Sequence, residues 1–566
     1  MSVLKLGNNI NTDDIIPAKR CTHLDEKLLG KYAFEHQEFN IRDYDSIEAG
    51  ENFGSGSSRE HAILALKGAG IKKITAKSFS AIFFRNAINL NLQIEIKGKE
   101  EPFLNYMKKI GGLINFNRQR VKGKWHVKKY FCNTNKRPMT ISEKILAKTS
   151  GQKYVKPNDY VFAKPNLIMS TDAVVYPSAF LFDMYYGKRR KIKNRKKFVF
   201  IADHFIQIND IRHDARAINF YEKMNEFAKK NQIKLYDKIS KNEALGICHI
   251  LLAEKGEIRP SMFIVGTDSH TCTYGAFGAF SMGIGTTDLM NLLAHDDIWV
   301  KVPHTIKVIM KGLPERSIMA KDVILYVISI LKNRDTLGRA IEFYGDYLKT
   351  INVDERITLC NMVAEAGAIC GIIAADKKSK EYVSERTRKR IKTIRADGAA
   401  DYEKTITVDI SKLKPLVAMP YLPQNVEEIA GAGKIKIDKA YIGSCTGGKY
   451  TDIKNVAEIL EGRKLNGHVK LFVVPATQEI KKRTEKDGLL KIIRDAGGEI
   501  LPCGCGACIN AGRGNLNKNE ACVSAINRNF RGRSGHPSAK VYLASPRTVA
   551  ISAVRGYLSD RWVNER

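Results

Sequence analysis

"MFIVGTDSH", Met262–His270, is a short apolar run that leads directly into polar side chains able to do chemistry. The same pattern occurs in "KKFVFIADH", Lys196–His204, and in "KAYIGSC", Lys439–Cys445. Each apolar run has the length and composition of a buried β-strand. Such runs alternate with helix-length amphipathic stretches as far as the C-terminus, which is typical of α/β proteins. We therefore predict several α/β/α layers.

The polar residues in these stretches come where the strands end. Ligands of open α/β sheets bind beyond the carboxyl ends of the strands, so these residues are expected to share one crevice. A single histidine at a strand end is more often a hydrogen-bonded structural residue than a catalyst. Three such ends, with Asp-His, Asp-Ser-His and Cys chemistry, favour a common site.

The first hundred residues show a different organisation, in which short apolar runs alternate with turn-rich stretches and predict a small α/β unit. The basic segment Asn115–Pro138 lacks helical periodicity, and we interpret it as a linker. Beyond it, Thr140 and Glu143 stand three residues apart ahead of a periodic run, which predicts a capped helix start.

The chain has 566 residues and a formal net charge of +33 at pH 7. The basic runs Gly187–Phe198 and Ser384–Lys392 could form a phosphate-binding surface or ordinary solvated faces. We favour solvated faces, because nucleic-acid modules also interleave aromatic residues or show a recognisable fold signature. An anionic substrate fits the charge equally well. The longest apolar runs are far shorter than a membrane span, so we expect no membrane insertion.

Eleven cysteines, an odd number, are scattered along the chain. The N-terminal segment lacks the apolar core and cleavage site of a secretory signal, so we expect a reducing, cytoplasmic location. There, the C-x-x-C spacing of Cys505 and Cys508 favours metal or redox chemistry over a structural disulfide. Spacing alone does not decide whether the nearby Cys503 takes part.

Six longer motifs resemble those of a known family. They are "NNINTDDIIPAK" (Asn8–Lys19), "NFGSGSSREHAILAL" (Asn52–Leu66), "GTDSHTCTYGAFGAFSMGIGTTD" (Gly266–Asp288), "GSCTGGKYTD" (Gly443–Asp452), "CGACINAG" (Cys505–Gly512) and "NRNFRGR" (Asn527–Arg533). The chain resembles the aconitase superfamily of iron-sulfur hydro-lyases, most closely its isopropylmalate and homoaconitate dehydratase branch. The first two motifs resemble small-subunit signatures of that branch and the other four resemble large-subunit signatures. The resemblance covers nearly the whole chain.

This resemblance implies an α/β fold in which a swivelling small domain precedes three α/β/α domains of the large-subunit type. The expected boundaries are 1–117 for the small lid domain, 118–137 for the basic linker, and 138–300, 301–410 and 411–566 for the three large domains. The branch usually keeps the two parts as separate subunits, so their fusion implies that no separate small subunit is needed.

The resemblance also implies one 4Fe-4S cluster held by Cys445, Cys505 and Cys508. Because cluster iron is usually held by one thiolate per iron, three ligands leave one iron open to water or substrate. Cys503 falls outside the matching motif and is interpreted as a surplus cysteine. Asn361 and Asn527 match residues that lie near the cluster.

The implied reaction removes water from a 2-hydroxy di- or tricarboxylate and adds it back at the neighbouring carbon. Ser57 matches the base; without the resemblance, its glycine-rich surroundings would be interpreted as a plain turn before a helix. The residues implied on the acid side of the reaction and near the open iron are Asp13, Asp203, His204, His249, Asp268, His270 and Glu365. The residues implied in substrate binding are Thr22, Ser58, Arg59, Ser269, Arg528 and Arg533.

The substrate itself depends on the segment Pro17–Lys27, which is expected to recognise the variable group. Relatives that take a third carboxylate tend to carry an arginine there, whereas Thr22 occupies the position in this chain. This slightly favours 3-isopropylmalate, and with it leucine biosynthesis, over aconitate or homoaconitate. A third alternative, from a different class of protein, is an RNA-binding role of the cluster-free form. The net charge favours this role, but a dedicated RNA binder would not need the catalytic set Ser57, His204, Cys445, Cys505 and Cys508, which is intact in this chain.

Overall fold

Parallel β-strands connected by helices make up most of the fold, which confirms the predicted α/β class. The protein is seen in a computed structural model, which describes residues 2–17, 20–23, 25–56, 60–96, 102–121, 132, 134–208, 214–331 and 333–561. Within those ranges, four sheets have four to seven strands, and two further sheets have two strands each. Parallel strands need crossover connections, which the intervening helices supply.

The N-terminal unit, residues 2–121, contains a parallel sheet in the order β1-β2-β3-β4. Its last helix continues four residues past the boundary predicted at residue 117, because Arg120 forms an ion pair with Asp297 and Phe116 packs on Phe103. The elements of the unit are β1 Val3–Lys5, α1 Thr12–Ile15, α2 Glu26–Lys31, β2 Ser46–Ala49, α3 His61–Gly68, β3 Lys73–Ala76, α4 Ala81–Asn89, β4 Gln93–Ile96, α5 Pro102–Lys109 and α6 Gly112–Val121.

The next region contains a five-stranded parallel sheet in the order β12-β11-β6-β7-β8. Its first helix begins as predicted, since Thr140 and Glu143 form a reciprocal capping box. Its elements are α7 Ile141–Ser150, β5 Tyr160–Ala163, β6 Leu167–Thr171, α8 Val175–Tyr186, β7 Phe198–Ile201, α9 Ala215–Asn231, β8 Lys234–Tyr236, β9 Lys238–Ser240, β10 Glu243–Ala244, α10 Cys248–Glu254, β11 Phe263–Gly266, β12 Phe280–Gly283, α11 Thr286–His295 and β13 Ile298–Lys301.

A third region forms a four-stranded parallel sheet in the order β16-β15-β14-β17. Its elements are β14 Thr305–Lys311, α12 Ala320–Ile330, α13 Asn333–Thr336, β15 Ala340–Gly345, α14 Tyr347–Thr350, α15 Val353–Met362, β16 Cys370–Ile373, α16 Lys377–Ser384 and β17 Lys404–Asp409.

The last region carries a seven-stranded sheet in the order β19-β18-β24-β23-β20-β21-β22, parallel except at β18. Its elements are β18 Leu416–Ala418, β19 Val426–Glu428, β20 Lys439–Ile442, α17 Ser444–Gly447, α18 Tyr450–Leu460, β21 Lys470–Val473, α19 Gln478–Lys486, α20 Leu489–Asp495, β22 Glu499–Ile500, β23 Ala521–Ser524, β24 Lys540–Ala544 and α21 Pro546–Arg555. The four sheets follow the predicted order, while the domain boundaries stay a prediction.

One hydrophobic core joins the third and fourth regions, and a second lies around the five-stranded sheet. The core of the N-terminal unit includes two side chains from outside that unit, Tyr160 and Trp299. The N-terminal unit is therefore packed onto the rest of the chain through apolar surface. Among the described residues, no helix has both the length and the apolar character to cross a membrane.

A set of buried polar contacts lies at this junction, and we call it the anchored contact. Arg85 Nη2 donates to Asp288 Oδ1 at 2.8 Å, and the Arg85 guanidinium stacks 3.9 Å from the Trp299 ring centroid. The carboxyl group of Glu60 accepts from the backbone N–H of Thr287 at 2.8 Å. Because Arg85 is 5% exposed and Asp288 is fully buried, this ion pair is shielded from water.

Candidate active site

The polar side chains at two of the three strand ends meet in the structure, and a cysteine from a distant loop joins them. His204 follows β7 and Asp268 follows β11, and their side chains approach to 3.3 Å, between Nε2 and Oδ2. The Sγ atom of Cys505 lies 3.8 Å from His204 Nδ1, although the two residues are 301 positions apart in the chain. The carboxyl ends of separate sheets therefore meet at one place, as the sequence pattern predicts.

His204 lies between two carboxylates. Its Nδ1 is 2.7 Å from Asp203 Oδ1, and its Nε2 faces Asp268. Burial alone would lower the pKa of His204, but the Cys505 thiolate and the Asp203 carboxylate outweigh burial and raise the pKa well above its usual value. Since a carboxylate only accepts hydrogen bonds, both ring nitrogens need a proton in this arrangement. The geometry therefore holds His204 as an imidazolium.

Asp268 is the point at which three imidazoles meet. Its carboxylate faces His204, lies 2.8 Å from His249 Nε2 and accepts the backbone N–H of His270 at 2.8 Å. Burial would raise the pKa of Asp268, but the hydrogen bonds from the three histidines hold it well below its usual range. The Nδ1 atom of His249 has no hydrogen-bond partner among the described residues. Asp268 thus stays an anion that orients several proton-carrying rings.

The network continues from His270 to Glu365 and Arg528. His270 Nε2 is 2.7 Å from Glu365 Oε1, and Arg528 Nε donates to the same carboxylate at 2.9 and 3.1 Å. Burial would raise the pKa of Glu365, but Arg528 and His270 lower it. Glycine at position 275 allows the segment that carries His270 to lie against the β16 backbone, because a Cβ there would overlap the carbonyl oxygen of Gly371.

Three buried cysteines lie beside this network, on two loops of the seven-stranded sheet. Cys445 follows β20 in the short helix α17. Cys505 directly precedes the short 3₁₀ helix Gly506–Ile509, and Cys508 lies within it. Ser444, which presents Cys445, has φ 67°, a left-handed conformation that is uncommon for serine and typical of functional sites.

These cysteines fit a metal cluster. Burial, and after it the Cys508 thiolate, raises the pKa of Cys445 to about 12, and burial likewise raises that of Cys505. Buried thiols of this kind ionise only when a cation accompanies them, which a metal centre provides. The donor set of three soft thiolates is the one that iron-sulfur clusters take.

Asparagine side chains surround the sulfur of Cys445. Asn361 Nδ2 donates to Cys445 Sγ at 3.1 Å, and Asn527 Nδ2 lies 3.3 Å from the same atom. The thiol of Cys503 has different surroundings: burial raises its pKa to about 12, and the charged groups that act on it are Glu243, Lys481 and Glu254. Cys503 therefore stands apart from the other three cysteines.

The N-terminal unit reaches the same site through what we call the cleft contact. Arg528 Nη2 donates to the Gly56 carbonyl oxygen at 3.0 Å, and Arg533 Nη1 lies 3.8 Å from Asp13 Oδ2. Thr22 and Ser269 are buried, and among the described residues neither hydroxyl has a hydrogen-bond partner. The predicted residues Ser57, Ser58 and Arg59 lie outside the described residues.

A cavity of about 790 Å³ opens beside the cleft contact. Gly56 from the N-terminal unit and Ser269, Glu365 and Arg528 from the rest of the chain line part of its wall. Its volume falls within the range of small-molecule sites. A small anionic molecule in this cavity could therefore contact both parts of the chain.

Two buried residues at the site were not predicted from the sequence. Asp172 comes directly after β6, where its carboxylate accepts the backbone N–H groups of His204 at 3.0 Å and Phe205 at 2.8 Å. Burial, and then Asp203, raises the pKa of Asp172 to about 6. Its position at a strand end is the same signal that identified Asp203. The other residue, Lys321, lies inside helix α12 and gives no such signal.

Comparison with known proteins agrees with the geometry. Residues 143–436 and 430–556 match the family model described as the aconitase family (aconitate hydratase), and residues 9–99 match that of the aconitase C-terminal domain. The domain named for the C-terminus of aconitase therefore lies at the N-terminal side of this chain. One polypeptide carries both parts, with the smaller part first.

Individual relatives cover the larger part. The 3-isopropylmalate dehydratase large subunit of Caldicellulosiruptor saccharolyticus is 40% identical over 425 residues, which is 75% of this chain and 97% of that protein. Large subunit 1 of the same enzyme from Pyrococcus abyssi is 40% identical over 424 residues, 75% of this chain and 98% of that protein. The crystal structure of 3-isopropylmalate dehydratase (leuD) from Methanocaldococcus jannaschii is 30% identical, covers 22% of this chain and 95% of its own, and has a TM-score of 0.20. This chain belongs to the aconitase family of hydro-lyase enzymes.

Proposed function

We propose that this enzyme is a 3-isopropylmalate dehydratase, which isomerises its substrate by removing and restoring water at a 4Fe-4S cluster. The observation that carries the proposal is the unbroken chain of carboxylate, imidazole and guanidinium contacts from Asp203 to Arg528 beside three buried cysteines. The printed names of the two large-subunit relatives support the substrate. Leucine biosynthesis in the cytoplasm is the setting that this substrate implies.

Cys445, Cys505 and Cys508 would hold the cluster, with Asn361 and Asn527 donating to the sulfur of Cys445. When bound, a cluster with three protein ligands supplies a Lewis-acidic iron for the departing hydroxyl. Hydrogen bonds to a ligating sulfur tune the charge that the sulfur presents to the metal. The two asparagines therefore act on the cluster through Cys445.

His204 is the proposed source of the proton for the leaving hydroxyl. Asp203 and Asp268 keep the imidazole charged, so that a proton is present at neutral pH. His249 and His270 face the same Asp268 carboxylate, and Glu365 accepts from His270. A proton given up at His204 can therefore be replaced within a set of neighbouring rings.

Ser57 is the proposed base, on the strength of the motif that contains it. Its neighbour Gly56 has φ 93° and a carbonyl oxygen that accepts from Arg528, so the loop leading to Ser57 is tied to the acid network. A serine removes a proton from carbon only when its alkoxide is stabilised, a role we assign to Arg59 and the glycine-rich loop.

Arg528 and Arg533 are the proposed partners of the substrate carboxylates, with Ser58, Arg59, Ser269 and Thr22 as further contacts. Arginine suits this role because its planar fork binds a carboxylate through two parallel hydrogen bonds. Asp13 lies near Arg533 and would fix its orientation. Both parts of the substrate site are present in one chain, so no separate small subunit is needed.

The experiment that tests the proposal is anaerobic reconstitution of the purified chain with iron and sulfide, followed by assays on 3-isopropylmalate, citrate and homocitrate. We expect brown iron-sulfur absorbance and the highest kcat/KM on 3-isopropylmalate. Cys445→Ser should abolish the absorbance, while the matched control Cys503→Ser should retain it. Exposure to oxygen should inactivate the enzyme, and ferrous iron with thiol should restore it.

The other possible results of these assays would each favour a different function or ligand set. A preference for citrate or homocitrate would make the enzyme an aconitate or homoaconitate hydratase. Failure to turn over any of the three acids, together with salt-sensitive RNA binding by the cluster-free protein, would favour the RNA-binding role. A full cluster in Cys445→Ser would contradict the assignment of the ligands.

A further inference from the structure

Lys321 is a buried lysine in the first turn of helix α12, and its side chain is not part of the acid network. It is 1% exposed. Its Nζ donates to the carbonyl oxygens of Ile526 at 2.7 Å and Ala525 at 3.3 Å, and to Thr446 Oγ1 at 3.3 Å. All of these acceptors are neutral.

Two other lysines of the same region have a carboxylate partner. Lys439 Nζ lies 2.6 Å from Glu520 Oε2, and Lys449 Nζ lies 2.6 Å from Asp452 Oδ2. Within the described part of the chain, Lys321 has no carboxylate oxygen at ion-pair distance. A buried cation without a counter-charge is strongly disfavoured, so a buried lysine in this position indicates an anionic partner.

The acceptors of Lys321 belong to the two loops that surround Cys445. Thr446 is the next residue after Cys445, and Ile526 precedes Asn527, whose Nδ2 lies 3.3 Å from Cys445 Sγ. Burial and the nearby Lys449 lower the pKa of Lys321 to about 7, whereas the Cys445 thiolate, the Asp452 carboxylate and the Cys508 thiolate act in the opposite direction. The Lys321 ammonium group is therefore close enough to Cys445 and Cys508 to interact electrostatically with both.

We propose that Lys321 is a positioning cation for the cluster: it ties the loops of Cys445 and Asn527 together and supplies the positive charge that a thiolate-bound cluster lacks. This inference rests on the proposed cluster. A 4Fe-4S centre held by three thiolates is anionic, and reduction adds another negative charge. A buried cation beside it favours the reduced state, because net charge near a cluster sets its reduction potential.

The test compares Lys321→Met, which removes the charge at similar length, with Lys321→Arg, which keeps it. Both variants and the wild type are reconstituted anaerobically, and the reduction potential of the cluster is measured by a titration followed by electron paramagnetic resonance. We expect the equilibrium constant for reduction to fall at least tenfold in Lys321→Met, about 59 mV for a one-electron couple. Lys321→Arg should stay within threefold of the wild type.

Lys439→Met is the matched control, because it also removes a buried lysine but lies at the opposite end of β20 from Cys445. It should keep the wild-type potential even if it unfolds more easily. If Lys321→Met fails to retain a cluster, Lys321→Gln replaces it, and loss of the cluster from both neutral variants with retention in Lys321→Arg supports the proposal.

Three results would overturn the inference: an unchanged potential in Lys321→Met, an equal shift in Lys439→Met, or equal loss of the cluster from all Lys321 variants including arginine. The last result would mean that Lys321 only fills space and donates hydrogen bonds. A wild type that binds no cluster would instead refute the proposed function, so the two failures are distinguishable.

Discussion

The N-terminal unit touches the rest of the chain in two regions, whose ion pairs differ in length. In the anchored contact, Arg85 and Asp288 form a short, fully shielded ion pair. In the cleft contact, Arg533 and Asp13 are 3.8 Å apart. The cavity of about 790 Å³ is lined by Gly56 and Arg528 at this contact and reaches Arg85 and Trp299 at the other. The cavity therefore runs along the junction between the two parts of the chain, where a ligand could contact both.

This difference also bears on the expectation of a swivelling lid. A unit fixed along one side and open along the other can close only by rotating about the fixed side. We therefore expect the helices α4 and α11, which carry Arg85 and Asp288, to stay together in any rotation of this unit. The following predictions test the two regions separately.

The largest effect is expected at the anchored contact. Arg85→Leu leaves the Asp288 carboxylate buried without its cation, which should lower the free energy of unfolding by about 3–5 kcal/mol. Thermal and urea unfolding would measure the loss. In the double variant Arg85→Leu/Asp288→Leu a large part of this stability should return, since no charge is then left unpaired. A single variant as stable as the wild type would show that the ion pair does not anchor the unit.

Glu60 gives the same contact a pH dependence. Burial raises the pKa of its carboxyl group to about 7, whereas the unfolded chain loses that proton near pH 4.5. Stability from this group is therefore complete below about pH 4.5 and is lost as the pH rises to about 7.

Glu60→Gln keeps the contacts to Thr287 without an ionisable group, so it should be more stable than the wild type by roughly 3 kcal/mol at pH 8. The difference should shrink toward pH 5. Unfolding curves at pH 5, 6, 7 and 8 measure it. A difference that stays constant over this range would contradict the shifted pKa.

At the cleft contact the expected effect is on catalysis. Arg528→Lys keeps the charge but cannot reach Glu365 and the Gly56 carbonyl oxygen together, so kcat/KM should fall about a hundredfold, near 2.7 kcal/mol. The unfolding midpoint should change much less than in Arg85→Leu. Steady-state assays of the reconstituted enzyme supply the measurement, and near-normal turnover would remove Arg528 from the site.

The smallest effect concerns specificity. Thr22→Arg places a cation where a buried hydroxyl lies, which should shift the ratio of kcat/KM values from 3-isopropylmalate toward citrate and homocitrate by about tenfold, near 1.4 kcal/mol. The wild type and the variant are assayed on the three acids side by side. A ratio that does not move would show that this segment does not contact the variable group.

Much of the fold was predictable because strand periodicity and helix capping are local signals. The helix start at Thr140 is one example, since its capping box needs only four neighbouring residues. The segment from Asn115 lacks helical periodicity, yet α6 includes its first residues, and contacts such as Arg120 with Asp297 come from residues far along the chain. A contact between residues so far apart produces no local hydrophobic pattern from which the helix could be predicted.

In the candidate site, too, most residues with a local sequence signal were predicted and those placed by long-range contacts were not. Strand ends indicated Asp203, Asp268 and Cys445, and the family motifs indicated most of the other members. Asp172 was not predicted, although it also follows a strand. Lys321 could not be found in this way, because a lysine in the first turn of a helix is usually solvated. Only the packing of two distant loops around its ammonium group shows that it is buried.

The anchored contact also bears on how the protein can be made. Arg85 and Asp288 are 203 residues apart, so a ribosome that adds 5–20 residues per second needs roughly 10–40 s to deliver Asp288 after Arg85. Throughout that interval the N-terminal unit displays an uncovered docking face, which includes Phe103 before its partner Trp299 has been synthesised. Each nascent chain on a polysome presents the same face to its neighbours. The order of the two parts therefore sets how long this apolar surface waits for its partner during synthesis.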